Sequence, residues 1–359
     1  MNLPKIKDLE TKSSVRFDTT EEMREDIKMK ESIKNKVDVL VTNKEKIEKE
    51  FKWGYPLMNI AAALVFTGGS KEVDIERLKE CKTILKKNTG TFSSFRSYSE
   101  AVIVSKMALA DDPEQYIRDV KAIYDTLNKK HTFDNPYLIQ GAICIYEAGK
   151  MNEAESLAEK YRELYKKMEK KHPILTSSED IVYVVLLAMT DKDVDTILNE
   201  IEDCYEYLQR EAKLRVGNNE LQGLGEILAL TDGDIREKSD KVVNLYNTIL
   251  GHGVKWGKEY NEFGSLGTLI DINVDNDTLV DEIVEVSDYL KSSKGFSGWT
   301  LDNKQRLMFS AMLVGDSYSE KGSLMGSSAI NSTVAMVIAE EVAMMVCLMV
   351  CVSSTTTNS

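Results

Sequence analysis

Proline is scarce in this sequence, with five residues in a chain of 359. Because proline breaks helices by removing a backbone donor, so low a content permits long uninterrupted helices. Histidine is scarcer, with three residues, and none lies at a metal-binding spacing from another histidine or from a cysteine. Since zinc sites in proteins depend on such spacings, we predict no metal site.

The cysteines are few, odd in number and without a C-x-x-C pair; they are Cys81, Cys144, Cys204, Cys347 and Cys351. The first three fall inside apolar or amphipathic stretches, which is typical of buried thiols that act as small hydrophobic side chains. A disulfide framework is therefore not expected, and we predict a reducing compartment, the cytoplasm. The first twelve residues contain no apolar segment of the kind that signal peptides have.

Catalytic and cofactor-binding motifs are also lacking. Neither the phosphate-binding G-x-x-x-x-G-K pattern nor the hydrolase G-x-S-x-G pattern occurs. The run Asp191-x-Asp193-x-Asp195 begins like a calcium loop, and Glu202 stands at its twelfth position. Thr196 replaces the glycine that such a loop needs at its sixth position, and carboxylates at a helix start explain the run better. We predict no cofactor and no catalytic residue.

What the sequence does contain is a repeat. Strongly apolar segments, which we call A segments, alternate with amphipathic, charge-rich B segments. The last large apolar residues of the B segments are spaced by 42, 41, 40, 42 and 40 residues; they are Leu85, Leu127, Met168, Leu208, Leu250 and Leu290. A period of about 41 is typical of two-helix repeats. We therefore predict an all-α fold, an α-solenoid of about six helix pairs without a sheet.

Helix boundaries are predicted from capping patterns. Asp112-Pro113 and Asn135-Pro136 each place a capping side chain before a proline at the first helical position. Ser97-x-x-Glu100 and Thr42-x-x-Glu45 match the capping box, in which an N-cap hydroxyl and a glutamate three residues later satisfy each other's backbone groups. All four patterns predict a helix start.

Three regions follow from this pattern: an N-terminal helical lead-in at residues 1–52, the solenoid at 53–328, and an apolar C-terminal helix with a polar tail at 329–359. The segment Ala329–Val352 is long enough to cross a bilayer, but Glu340 and Glu341 lie at its centre. Ionised groups are costly there, so we predict no membrane span. We expect this helix to close the solenoid against Leu307–Val314 or to form a homodimer contact.

Charge is divided between the two kinds of connection. Loops from B to A segments carry 16 basic and 5 acidic residues, whereas turns from A to B carry 6 and 21. Helix dipoles favour this arrangement, but the basic loops also collect all histidines and two tryptophans, an interface composition. We predict that one side of the solenoid binds a partner through these loops; the candidate binding residues are Arg96, His131, His172, Arg215, His252, Trp256 and Trp299.

The stretches 221–231 (LQGLGEILALT) and 262–269 (EFGSLGTL) resemble a family of uncharacterised helical proteins of low-GC Gram-positive bacteria, a domain of unknown function. The small-residue-rich C-terminal segment with its central polar pair is similar as well. This resemblance extends over nearly the whole chain and implies an intracellular bacterial protein. Its motifs concern helix packing, and it implies no activity.

Together these features favour a non-enzymatic module that binds a protein or peptide, with acidic partners favoured by the basic loops. Two alternatives stay open. A nucleic-acid backbone binder would also use basic loops, although the net charge of −13 disfavours it. An enzyme with a site dispersed over several repeats would need a pocket with shifted carboxyl groups, which the sequence does not reveal.

Overall fold

The computed structural model describes residues 29–52, 55–91, 93–97, 99–129, 135–298, 301–318 and 337–339. Within these ranges the fold is all-helical and contains no strand. The α-helices are α1 (Glu31–Glu50), α2 (Pro56–Gly68), α3 (Ile75–Asn88), α4 (Glu100–Leu109), α5 (Pro113–Asn128), α6 (Pro136–Glu147), α7 (Ala154–Lys171), α8 (Ile181–Ala188), α9 (Val194–Glu206), α10 (Asn218–Leu228), α11 (Ile235–Gly251), α12 (Tyr260–Gly264), α13 (Asn276–Ser292) and α14 (Asn303–Tyr318).

Six of the helices listed above begin at an Asp or Asn whose side chain caps the first turn. The N-cap carboxylates of Asp74, Asp112, Asp193, Asp234 and Asp275 each accept backbone N–H groups of the first turn. Asn135 caps α6 in the same way, so the starts predicted at Asp112 and Asn135 are confirmed. Asp193 is thereby a helix cap, as the dipole argument expected.

Two predicted capping boxes are wrong. Thr42 and Glu45 lie inside α1, which runs unbroken from Glu31 to Glu50. Residue Ser97 precedes a helix that begins at Glu100, so the glutamate is the first helical residue instead of the third. Short capping patterns occur by chance in polar helices, and the apolar stripe of Val37, Leu40 and Ile47 keeps α1 continuous.

The helices fall into two groups with different burial. The even-numbered helices correspond to the A segments and are buried nearly all round; every residue of α8 is buried. The odd-numbered helices bury one stripe and expose the opposite face, as α5 does with Ile117, Val120 and Leu127 inward. All buried apolar side chains belong to one continuous core, so the described chain is not divided into separately packed halves.

Packing follows the order of the chain. Each odd helix from α1 to α11 contacts the next odd helix, and α6, α8, α10, α12 and α14 form a corresponding series among the even helices. Most odd helices also pack against the even helix that follows them, as α5 does against α6 and α7 against α8.

The first helix of this series contacts its last two helices. Helix α1 contacts α2 and α3, and it also contacts α13 and α14. The Tyr289 hydroxyl donates to Asp38 Oδ1 at 2.6 Å, Lys30 Nζ lies 2.7 Å from Glu282 Oε1, and Lys36 pairs with Asp316. The contacts among the odd helices therefore form a closed circuit, from α1 through α13 and back to α1.

Most of the predicted C-terminal helix lies outside the described residues. Val337, Ile338 and Ala339 are helical and at most 4% exposed. The predicted contact with Leu307–Val314, the homodimer contact and the glutamate pair are not described. No helix in the described part of the chain is both long and apolar enough to cross a membrane.

Candidate functional site

The predicted binding residues lie in the loops that lead from odd to even helices, but they do not form one exposed surface. Arg215 is exposed, Arg96 is half-buried and Trp256 is buried. His172 and His252 are partly exposed, and both are occupied by contacts described below. His131 and Trp299 lie outside the described residues.

The prediction that Trp256 is solvent-accessible is wrong. The residue is 4% exposed, and its indole Nε1 donates to the Glu262 carbonyl at 2.8 Å. A buried tryptophan needs a partner for its N–H, and this backbone oxygen provides one. Trp256 therefore fixes the loop before α12 to the helix itself and is part of the core.

Two histidines join neighbouring odd helices. His172, after α7, places Nε2 2.9 Å from Glu202 Oε2 on α9. His252, after α11, places Nε2 2.8 Å from Asp277 and Nδ1 3.2 Å from Asp281, both on α13. The hydrogen bond with Asp277 is the main cause that raises the pKa of His252. Both rings therefore contact carboxylates of the next odd helix.

These histidines belong to a wider pattern. The end of one odd helix lies against the beginning of the next, as shown by Lys129 with Glu155 and Lys167 with Asp195. Basic helix ends thus meet acidic helix starts, which accounts for much of the charge division seen in the sequence. The basic residues at the ends of odd helices are therefore partly neutralised by the acidic residues at the starts of the next odd helices.

A smaller set of cations remains available. Eleven basic residues at or after the ends of odd helices are exposed and make no ion pair with any described residue. They are Lys49, Lys52, Lys86, Lys87, Lys170, Lys213, Arg215, Lys255, Lys258, Lys291 and Lys294. Many exposed cations elsewhere on the odd helices are paired, for example Lys79 with Glu76 and Lys121 with Asp125.

Four of these cations lie in two loops that a hydrogen bond joins, and we call this set the cationic patch: Lys213, Arg215, Lys255 and Lys258. Lys258 Nζ donates to the Arg215 carbonyl at 2.9 Å and so joins the loop after α9 to the loop after α11. Arg215 was predicted from the sequence; the other three were part of the basic count but were not singled out.

A second feature was missed altogether: a buried polar network connects α8, α10 and α12. The Tyr260 hydroxyl lies 2.8 Å from Asp180 Oδ1 and 3.1 Å from Glu226 Oε2. Gln222 Nε2 donates to Glu226 Oε1 at 3.1 Å, and the Tyr183 hydroxyl donates to Asn261 Oδ1 at 2.6 Å. All six of these residues are at most 3% exposed.

The two carboxyl groups of this network have raised pKa values. Burial and the charge of Asp180 raise the pKa of Glu226 well above its ordinary value, and burial also raises the pKa of Asp180. Because two adjacent buried carboxylates repel each other, protonation of Glu226 is favoured, while Asp180 accepts hydrogen bonds from Tyr260 and from the Ser177 backbone. Such a pair joins three helices through hydrogen bonds, and neither carboxyl group is exposed.

The network lies where two glycine-containing stretches meet. A Cβ on Gly223 would stand 2.3 Å from the Tyr260 ring, and a Cβ on Gly267 would stand 2.9 Å from Ile227. Gly223 and Ile227 belong to residues 221–231, and Gly267 to residues 262–269. The two stretches that carry the family resemblance are therefore the two sides of one close contact, that of α10 with α12 and the turn after it.

A family model described as "Protein of unknown function (DUF4003)" matches residues 43–343. The chain belongs to this family. The DUF4003 match begins inside α1 and includes α2 to α14, so it covers the residues of the polar network and both glycine-containing stretches. No curated protein and no solved structure shows significant similarity to the chain.

Metal binding has no support in the described residues, where no group of three or more histidine, cysteine, aspartate or glutamate side chains could hold a metal ion. The acidic residues near the starts of α8 and α12 instead form capping boxes, Ser177 with Asp180 and Glu259 with Glu262. The buried polar network of the DUF4003 chain favours protonation of a carboxyl group and joins α8, α10 and α12 through hydrogen bonds.

Proposed function

We propose that this protein is a non-enzymatic interaction module that binds an acidic protein or peptide through the cationic patch. The observation that carries the proposal is the set of exposed cations without ion pairs at the ends of the odd helices. An acidic partner would supply the counter-charges that the chain does not. The aromatic contribution expected from Trp256 is not part of this proposal.

Lys213 supports a role for the patch beyond solubility. Its φ of +52° lies in the left-handed region, which usually favours glycine. The Leu214 N–H donates to the Leu208 carbonyl at 3.1 Å, which is the closing bond of a helix end that ordinarily has glycine at this position. A lysine here costs about 1 kcal/mol relative to glycine. Its charge is a reason for keeping it.

We further infer that the helices form one repeat array of helix pairs with a period of about 41 residues, closed on itself by α1. Support comes from the contacts between successive odd helices and from the direct contacts of α1 with α13 and α14. Closure would bring every odd-to-even loop to the same side of a ring. The exposed cations would then surround one opening.

The remaining features of the proposal concern the setting of the protein. Cys81, Cys144 and Cys204 are buried free thiols, which supports a reducing cytoplasm. We retain the proposal of an intracellular bacterial protein of low-GC Gram-positive origin. A homodimer through residues 329–359 also stays a proposal.

The binding proposal is tested with a fluorescein-labelled dodecaglutamate peptide and fluorescence anisotropy at several salt concentrations. One variant carries Lys213→Glu, Arg215→Glu, Lys255→Glu and Lys258→Glu. The matched control carries Lys79→Glu, Arg118→Glu, Lys121→Glu and Lys241→Glu, which changes the net charge equally but outside the patch. Circular dichroism checks that both variants are folded.

We expect the dissociation constant to rise at least about tenfold in the patch variant and to change little in the control. Equal losses in both variants would mean that only the overall charge matters. Failure of the unmodified protein to bind the peptide would refute the proposal. Tighter binding to a single-stranded DNA of equal charge, with steep salt dependence, would favour the nucleic-acid alternative.

A further inference from the structure

Most of the even helices are covered on every side. Five of them contain an unbroken run of buried residues more than two turns long, so the side chains of each run point in all directions around the helix. The side that faces away from the odd helices is therefore covered too. The runs are Leu57–Leu64, Tyr137–Ile145, Ile181–Ala188, Leu221–Leu228 and Arg306–Val314.

The odd helices do not provide this cover. Each exposes one face to solvent, so they form an outer layer, and the even helices lie inside the circuit from α1 to α13 and back to α1. Within the described chain, α2 does not pack extensively against α8 or α10 on the opposite side of this circuit. A water-filled centre would expose the inner faces, and these faces are buried. Something apolar therefore occupies the centre.

The centre has room for one helix. Seven even helices, α2 to α14, surround it. At the usual spacing of about 8–10 Å between packed helices, the axis of a ring of seven lies about 9–12 Å from each of them. This distance is close to one helix-to-helix spacing, so a single helix on the axis would contact the ring all round.

The turn at residues 337–339 has the burial that an axial helix needs. Val337 is 4% exposed, Ile338 and Ala339 are 0% exposed, and all three belong to the same core as the even helices. Consecutive helical residues point about 100° apart, so these three span about 200° of the circumference. A helix packed on the outer surface leaves one face to solvent. The structure holds a single chain, so the chain itself buries this turn.

We infer that the segment Ala329–Ala339 of this same chain lies on the axis of the ring, with the turn at 337–339 enclosed by the even helices. This inference rests on the closed array described under the proposed function. The segment is short and free of charged residues, as an apolar centre requires. An occupied axis leaves no central cavity for a substrate, so a partner would bind at the rim, where the odd-to-even loops carry the cationic patch.

The direction of the chain also places the two glutamates that follow. Helix α14 begins after an odd-to-even loop and ends at Tyr318 on the opposite side. A helix that returns along the axis runs back toward those loops. From Ala329 to Glu340 it rises about 16 Å, close to the length of an even helix of eleven residues such as α10. Glu340 and Glu341 would then leave the core beside the exposed cations, where ionised carboxylates are stable.

The test replaces leucine and methionine in the full-length chain by their photoreactive diazirine analogues, which differ little in size from the natural side chains. Illumination links groups that are in contact. Because Lys321 is the last basic residue, trypsin releases residues 322–359 as one peptide, and mass spectrometry identifies the peptides linked to it. A mixture of isotopically labelled and unlabelled protein separates links within one chain from links between copies.

We expect links within one chain from this peptide both to α2 or α4 and to α8 or α10, which lie on opposite sides of the ring. Links to α14 and its neighbours alone would place the segment at the end of the array and overturn the inference. Links between copies would assign it to a dimer, and reaction with water alone would show that it is exposed; either result also overturns the axial position. The dodecaglutamate titration is independent of these links, so the cationic interface can stand if the axial helix fails.

A pair of matched variants measures the burial separately. Ile338→Ala should lower the melting temperature by about 5 °C or more, because it leaves a cavity among the even helices. Ile174→Ala removes the same groups from a side chain that is 92% exposed and should leave the melting temperature unchanged. Equal melting temperatures of the two variants would contradict an enclosed turn at residues 337–339.

Discussion

Several of the even helices contain buried polar residues, although these helices are mostly apolar. Gln222 and Asn261 are buried on α10 and α12, and Arg306 is buried on α14, where its guanidinium donates to the Ser287 carbonyl at 3.1 Å. Buried polar groups are costly unless they are hydrogen-bonded, so their partners constrain how the helices fit together. The Asp180–Glu226 pair is the most consequential example.

Glu226→Gln should be tolerated, because an amide mimics the protonated acid that the native state holds. Above the ordinary glutamate pKa of 4.5, the unfolded chain loses this proton and the native protein keeps it. The free energy of unfolding of the unmodified protein should therefore fall with rising pH, and the variant should lack this contribution. Urea denaturation from pH 5 upward should show an advantage of Glu226→Gln that grows with pH.

Asp180→Asn is the matched comparison. Its amide keeps one acceptor oxygen in place of two, so the Tyr260 hydroxyl or the Ser177 N–H loses its acceptor, and the protein should be destabilised by about 1–3 kcal/mol. If both amide variants were equally destabilised at all pH values, the proton would not reside on Glu226.

Lys213→Gly should stabilise the helix end after α9, because glycine adopts a positive φ without strain. We expect a gain of about 0.5–1 kcal/mol in unfolding free energy together with weaker binding of the dodecaglutamate peptide. Lys86→Gly, in the last turn of α3, is a suitable contrast and should destabilise instead. A stabilised variant that binds equally well would show that the charge of Lys213 has no part in binding.

At the scale of helices, the close approach of α10 and α12 depends on residues without side chains. The Tyr260 ring occupies the space that a Cβ on Gly223 would need, and Gly225 approaches the Ile201 carbonyl of α9. From the sequence alone, these glycines would be expected to lower the stability of α10. In the structure they are what allows α9, α10 and α12 to pack closely.

Gly223→Ala should therefore destabilise the protein by about 1–3 kcal/mol, since the Tyr260 ring is fixed by its hydrogen bonds and cannot move away cheaply. Gly251→Ala, at the end of α11 with open space around it, should be neutral or slightly stabilising. Chemical denaturation of the two variants measures the difference. Equal stabilities would mean that the α10–α12 contact adapts easily.

At the scale of the whole molecule, the decisive feature is that α1 meets the last described helices. The contact is partly ionic: Lys36 pairs with Asp316, and Lys44 lies 2.7 Å from Glu48 and 3.2 Å from the Lys294 carbonyl. Gly295 beside it has a φ of +83°, and a Cβ there would meet Lys44 Nζ. The loop after α13 is thus fitted to α1.

Charge exchange at this contact tests whether the ends meet in solution. Lys36→Asp and Asp316→Lys should each lower the melting temperature, because each places like charges together at a half-buried position. The double variant should recover much of the loss, with a coupling energy of about 0.5–3 kcal/mol. Additive effects of the two changes would contradict closure.

The sequence by itself determined the helices and their order. Apolar segments that recur every 41 residues or so must be buried, and side chains such as Asp112 and Asn135 satisfy the first N–H groups wherever the helix is placed. These are local effects, governed by periodicity and capping. The family resemblance was likewise visible, in residues 221–231 and 262–269, and the DUF4003 match supports it.

Only the tertiary structure decided what the polar and aromatic residues do. Trp256 looked like an interface residue because composition does not reveal burial, and His172 and His252 looked available because their partners lie 25 to 30 residues away on the next odd helix. Tyr260 and Asp180 are 80 residues apart in the chain, yet they share a hydrogen bond. Such contacts depend on how the helices pack and on the contact of α1 with α13 and α14. No local sequence pattern encodes either.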